Sequence, residues 1–129
     1  MSEMSLLKKL VVKTGYKLII INPPDGYLDR IGVLPESTIY IELNTELADV
    51  IQVFVKTMDE VLPNVEIWKK SLKPKGILWI TYPKTTSRVK TDLNRDILWK
   101  QLKDFGLEAV AMFSVDATWS AMRFKIISE

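Results

Sequence analysis

Four aliphatic residues in a row, Leu18-Ile19-Ile20-Ile21, set between Lys17 and Asn22, constrain this chain more than any other stretch. An unbroken run of that kind fits a strand covered on both faces, as in a parallel sheet. A strand with one wet face would alternate instead. Similar runs recur as "DVIQVFV" (Asp49 to Val55) and "ILWITY" (Ile77 to Tyr82), and "STIYIEL" (Ser37 to Leu43) reads as a further strand. Helical patterns lie between them. Residues 5–12 form a short candidate, and Asp25 is placed to cap another that ends at Gly32. Met58 to Leu72 repeats apolar residues at Val61, Leu62, Val65, Trp68 and Leu72, with Pro74-Lys75-Gly76 as its stop. Asp92 to Phe105 puts Leu93, Ile97, Leu98, Leu102 and Phe105 on one face, and Gly106 ends it. Residues 108–115 and 119–127 read as two strands joined by a turn at Asp116-Ala117-Thr118.

Strands alternating with helices predict one three-layer α/β domain over residues 1–129, a mainly parallel sheet of about six strands that ends in an antiparallel hairpin. One link is short. Only Asn44 to Ala48 separates the second and third strands, whereas a parallel return takes a dozen residues or more. Two solutions stay open for residues 37–43: a short parallel edge strand with an extended return, or an antiparallel strand.

The chain has no cysteine and no histidine. Disulfides, thiolate nucleophiles, Cys-ligated zinc and a Ser-His-Asp triad are therefore outside its chemistry, and no metal site is expected. Proton transfer would fall to Asp, Glu, Lys or Tyr. No apolar run is long enough to span a bilayer, and the N-terminus lacks a signal-peptide pattern, so a cytoplasmic protein is expected. The net charge of +2 hides an asymmetry: six acidic residues and one lysine from Glu42 to Glu66, then ten basic residues and two aspartates from Lys69 to Lys103.

The element order resembles a shortened class I methyltransferase, a Rossmann-like fold. "LLKKLVVKTGYKLIIIN" is similar to the lead-in to that fold's first strand, "ADVIQVFV" to its fourth strand, "WKKSLKPKGILWITYP" to its "LKPGG" turn and fifth strand, and the terminal hairpin to its last two strands. Through "GILWITYPK", "TDLNRDILW" and "DATWSAMRF" the chain also resembles a family of small bacterial proteins of unknown function. The first resemblance implies an S-adenosylmethionine (SAM) site on a glycine-rich loop after strand one, with an acidic residue, here Glu42, for the ribose. The loop present, Asn22-Pro23-Pro24-Asp25-Gly26-Tyr27, has one glycine and two residues without N–H. No cofactor is predicted, with SAM as the alternative. Asn-Pro-Pro is also part of the target-base motif of amino-methyltransferases, but there it follows the fourth strand and an aromatic comes next. Here it follows the first strand and Asp25 comes next, so it reads as a rigid turn.

In open α/β sheets ligands bind beyond the carboxyl ends of the strands. Two loops face that crevice. One offers Asn22, Asp25 and Gly26. The other, residues 82–96, offers Lys84, Arg88 and Lys90 and leads into a helix N-terminus at Thr91 or Asp92, a setting for phosphate or carboxylate. Asp116 and Trp119 at the hairpin tip complete the candidates. Arg123 is expected to pair with a carboxylate, Arg95 with Asp96, and Trp68, Trp79 and Trp99 to lie in the core. Nucleic acid is not expected as a partner, because basic and aromatic residues do not interleave. The chain reads first as a methyltransferase-fold protein that is not a methyltransferase and binds a small anionic ligand or a protein partner. Its alternatives are a transferase with a nucleotide-type cofactor held in an altered way, and an interaction module, a homodimer among its forms.

Overall fold

A computed structural model describes residues 5–127. Its sheet contains β1 (Lys17–Ile21), β2 (Ile39–Tyr40), β3 (Ala48–Phe54), β4 (Leu72–Pro83), β5 (Leu107–Ser114) and β6 (Trp119–Ile126), in the order β2-β1-β3-β4-β6-β5. β1 to β4 are parallel, and β6 runs antiparallel between β4 and β5. Helices α1 (Leu6–Lys9) and α2 (Tyr27–Ile31) cover one face, where Leu10, Leu18, Tyr27, Val50, Phe54 and Trp79 form one core. Helices α3 (Met58–Val61), α4 (Val65–Lys70) and α5 (Arg95–Lys103) cover the other, over Ile51, Val53, Trp68, Leu78, Ile80 and Phe124. This is the expected three-layer arrangement with an antiparallel hairpin.

The second strand is parallel, and only two residues of it join the sheet. Tyr40 pairs with Leu18, and Leu18 pairs with Val50. Tyr40 and Val50 are therefore level, and the return has almost no strand length to recover. This is how a short link serves a parallel pair.

Several boundaries differ from the sequence pattern, each for a local reason. α1 spans four residues of the expected eight. Asp25 does not cap α2; Gly26, at φ 80, takes the N-cap position without a side-chain bond. Gly32 does end that helix. The expected helix from Met58 to Leu72 is broken, because Pro63 has no N–H to give and puts a 3-10 turn (Leu62–Asn64) between α3 and α4. Pro74-Lys75-Gly76 lies inside β4 instead of ending the helix. Ala48 pairs with Leu72 but Val50 with Ile77, so β4 bulges there. The bulge is tight at Gly76, where a Cβ would stand 2.8 Å from Leu72 Cδ2 and 3.0 Å from the Lys73 carbonyl oxygen. α5 begins at Arg95, with Asn94 as its N-cap accepting from the Ile97 N–H, so neither Thr91 nor Asp92 caps it. Trp68 and Trp79 are buried, as expected, but Trp99 is 49% exposed, and Lys103 lies over its ring. β5, at the open edge, bulges between Ala109 and Ala111, so Val110 drops out of its ladder.

One polar chain crosses the first core. The Tyr27 hydroxyl donates to Gln52 Oε1 at 2.7 Å, and Gln52 Nε2 donates to Thr81 Oγ1 at 3.0 Å. Gln52 and Thr81 are fully buried. Burial raises the Tyr27 pKa to about 12, so the hydroxyl keeps the proton it donates. Trp79 Nε1 likewise donates to the Leu10 carbonyl at 2.9 Å, tying α1 to the sheet. Tyr27→Phe would leave Gln52 Oε1 buried without a partner, at a cost of about 1–3 kcal/mol. Urea denaturation should show a lower midpoint at unchanged slope. An unchanged midpoint would mean the chain contributes nothing to stability.

Candidate functional site

Two cavities open at the carboxyl end of the sheet. The first lies over β1 and β3, where the strand order reverses, and measures about 380 Å³. Its walls are Ile21, Leu43, Val55 and Trp68, with Asn22, Asn64, Asp59 and Glu60 as its polar groups. Asn22 takes φ 56, a left-handed conformation that asparagine tolerates and that suits a residue whose right-handed region is closed by the following proline. Glu60 is held back, because its Oε1 accepts from the Lys56 N–H at 3.0 Å. Asp59 is exposed. Two carboxylates and no cation line this crevice. Glu42 stands exposed beside it, and Leu43, not Glu42, forms the wall.

The second cavity, about 410 Å³, lies where β4 ends, α5 begins and β6 starts. Its floor is Tyr82 on β4 and Ser120 on β6, which are register partners and are 4% and 6% exposed. Beyond each other, these hydroxyls have no side-chain hydrogen-bond partner among the described residues. Burial raises the Tyr82 pKa, while the Ser120 hydroxyl and the Arg95 charge pull it down and Asp96 pushes it up; the net shift is upward, and the phenol stays protonated. Lys84 and Arg95 supply two cations, Thr85, Thr86 and Asn94 further donors, and Asp96 one carboxylate. Lys84 Nζ donates to Ser114 Oγ. Arg95 and Asp96 do pair, at 3.6 Å, with both side chains largely exposed, a contact of little energetic weight.

The candidates from sequence separate into these two places and a third group with structural work. Asn22 lines the first cavity and Lys84 the second. Asp25 and Gly26 lie exposed in the loop after Asn22, and Arg88 and Lys90 lie exposed outside the walls of both cavities. Thr91 Oγ1 donates to the Lys56 carbonyl at 2.6 Å, and Asp92 Oδ1 accepts from the Met58 N–H at 2.8 Å, so this pair clasps the start of α3. Trp119 packs edge-on against Phe54, 5.2 Å between ring centres, and belongs to the core. Arg123 forms no ion pair among the described residues, and its buried Nε has no partner. Tyr82, Asn94, Arg95 and Ser120 went unseen as site residues. The signal was in the hairpin, since pairing β6 with β4 puts Ser120 opposite Tyr82. Among the described residues, no three metal-ligating side chains gather and no helix is long and apolar enough to cross a membrane.

Asp116 has a structural role. Its Oδ1 accepts from the Thr118 and Trp119 N–H groups at 2.8 and 2.9 Å, and its Oδ2 pairs with Arg30 at 2.9 Å, joining the hairpin tip to α2. Partial burial works to raise its pKa, but the Trp119 N–H, Arg30 and the Thr118 N–H outweigh it and hold the carboxyl below 3.8. A depressed folded-state pKa contributes stability above the ordinary value and loses it as pH falls through the folded one. Asp116→Asn should therefore be less stable than the parent near neutral pH, and the gap should close in acid. Urea midpoints over a pH series check this; a constant gap would remove the charge from the account.

No family model matches the chain, nor does any curated protein sequence. Among solved structures it is similar to a SAM-dependent methyltransferase from Aquifex aeolicus, with a TM-score of 0.65 at 15% identity over 92% of this chain and 86% of that one. It is also similar to the 1,6-didemethyltoxoflavin-N1-methyltransferase of Burkholderia thailandensis, with a TM-score of 0.60 at 12% identity over 95% and 75% of the two chains. The ribosomal protein L11 methylase of Lactobacillus delbrueckii subsp. bulgaricus gives 0.57 at 8% identity over 95% and 75%. The chain has the Rossmann-like fold of the SAM-dependent methyltransferases.

Proposed function

We propose that this chain is a binding protein built on the methyltransferase-like fold, that it takes a small anionic ligand in the cavity over β4, and that it does not transfer methyl groups. The observation that carries the reading is the contrast between the two cavities. The one over β4 joins Lys84 and Arg95 to a floor of two buried hydroxyl-bearing residues, Tyr82 and Ser120. The one over β1 and β3 offers carboxylates and no cation, and its rim loop lacks N–H groups at Pro23 and Pro24. Anions are favoured where cations and oriented donors converge and disfavoured beside unpaired carboxylates. Calorimetric titration with inorganic phosphate and with acetate tests it. Binding by either, weakened by Lys84→Gln and reduced by salt, is the expected outcome. No heat from any small anion would end the reading.

A second reading keeps a nucleoside-type cofactor in the first cavity, supported by that crevice standing open. It predicts binding of S-adenosylhomocysteine that is lost on Asp59→Asn and indifferent to Lys84→Gln.

A further inference from the structure

The donors around the second cavity come from three directions. Tyr82 and Ser120 rise from the floor on adjacent strands. Lys84, Thr85 and Thr86 reach in from the loop after β4. Asn94 and Arg95 come from the start of α5. There the Asn94 side chain satisfies only the Ile97 N–H, so the N–H groups of Arg95 and Asp96 have no acceptor within the helix. A planar carboxylate presents its lone pairs in one plane and can answer two of these directions well. A tetrahedral group with three terminal oxygens can answer all three.

The charges agree with this geometry. Two cations face a single ionised acceptor, Asp96, whose side chain is 88% exposed at the rim. Tyr82 and Ser120 are buried residues whose hydroxyls, among the described residues, have no side-chain partner beyond each other, and the proton that the pair does not use is free to turn toward an incoming oxygen. An anion with oxygens spare for the floor fits better than one whose oxygens are used up by Lys84 and Arg95. Met112 gives the cavity an apolar wall on the β5 side, where the uncharged remainder of a ligand can rest.

We infer that the cavity between β4, α5 and β6 is a phosphate site, taking the dianionic phosphate of a small monoester or free phosphate, with Lys84 and Arg95 on its charge and Tyr82 and Ser120 under its oxygens. This rests on the anion-binding reading and narrows it.

Phenyl phosphate and benzoate, which share a ring and differ in the anionic group, separate the two levels in calorimetric titrations of the intact chain. Phenyl phosphate should bind at least about tenfold more tightly than benzoate, the scale of one hydrogen bond to a charged group. Its affinity should fall as pH drops through the second phosphate pKa, near 6, because the monoanion carries less charge. Arg95→Gln changes an exposed side chain, so the fold should survive; it should lose about tenfold for phenyl phosphate with an unchanged melting midpoint. Inorganic phosphate run alongside decides whether the group arrives free or esterified, and binding of either supports the site. Benzoate binding as tightly as phenyl phosphate would overturn the phosphate assignment and leave the anion reading standing. Binding by neither would overturn both.

Discussion

The carboxamide of Gln52 is the one polar side chain in the middle of β3, with no access to water, and much of the first layer is arranged around it. Left alone it would cost more than most single packing defects. Tyr27 on α2 and Thr81 on β4 satisfy it from opposite sides. That requirement fixes where α2 sits over the sheet. With α2 fixed, the loop from Asn22 to Gly26 has little freedom left, since it must join the end of β1 to a helix whose first residue is already pinned. The Tyr27, Phe54 and Trp119 rings then stack edge to face in sequence, carrying the same constraint across to the hairpin. Arg30 and Asp116 close it at the surface.

The parallel core was legible because it is built from long aliphatic runs, and buried strands in a covered sheet cannot be built otherwise. β1, β3 and the core of β4 sit where their residues put them. What was hard to read depends on single residues acting against a pattern. Pro63 sits inside a good apolar repeat and interrupts it only through its missing N–H. Pro74 and Gly76 look like a helix stop and serve as a bulge, because β3 pairs with β4 on both sides of them. Asp92 looks like a helix cap and is one, but for α3, thirty-four residues away in sequence. The candidate site followed the same rule. Lys84 was visible in a loop of basic residues. Tyr82 and Ser120 became a floor only through the register of two strands far apart in the chain.

The two cavities also differ in what lines them. The reversal of strand order between β1 and β3 opens a crevice by geometry alone, whatever residues line it. Here carboxylates line that crevice, and Pro23 and Pro24 in the loop beside it carry no N–H. The concentration of positive charge lies two strands further along, beside the antiparallel hairpin.

The ends of the sheet are shaped as deliberately as its middle. Edge strands expose unpaired backbone groups, and an apolar edge invites another chain to add itself. β5 is such a strand, with "AVAMF" along it. Its bulge lifts Val110 out of step and twists the edge, while at the opposite side β2 offers only two residues to pair with. Neither border presents a straight template. The irregularity of the outermost strands withholds the straight ladder that edge-to-edge addition of another strand needs.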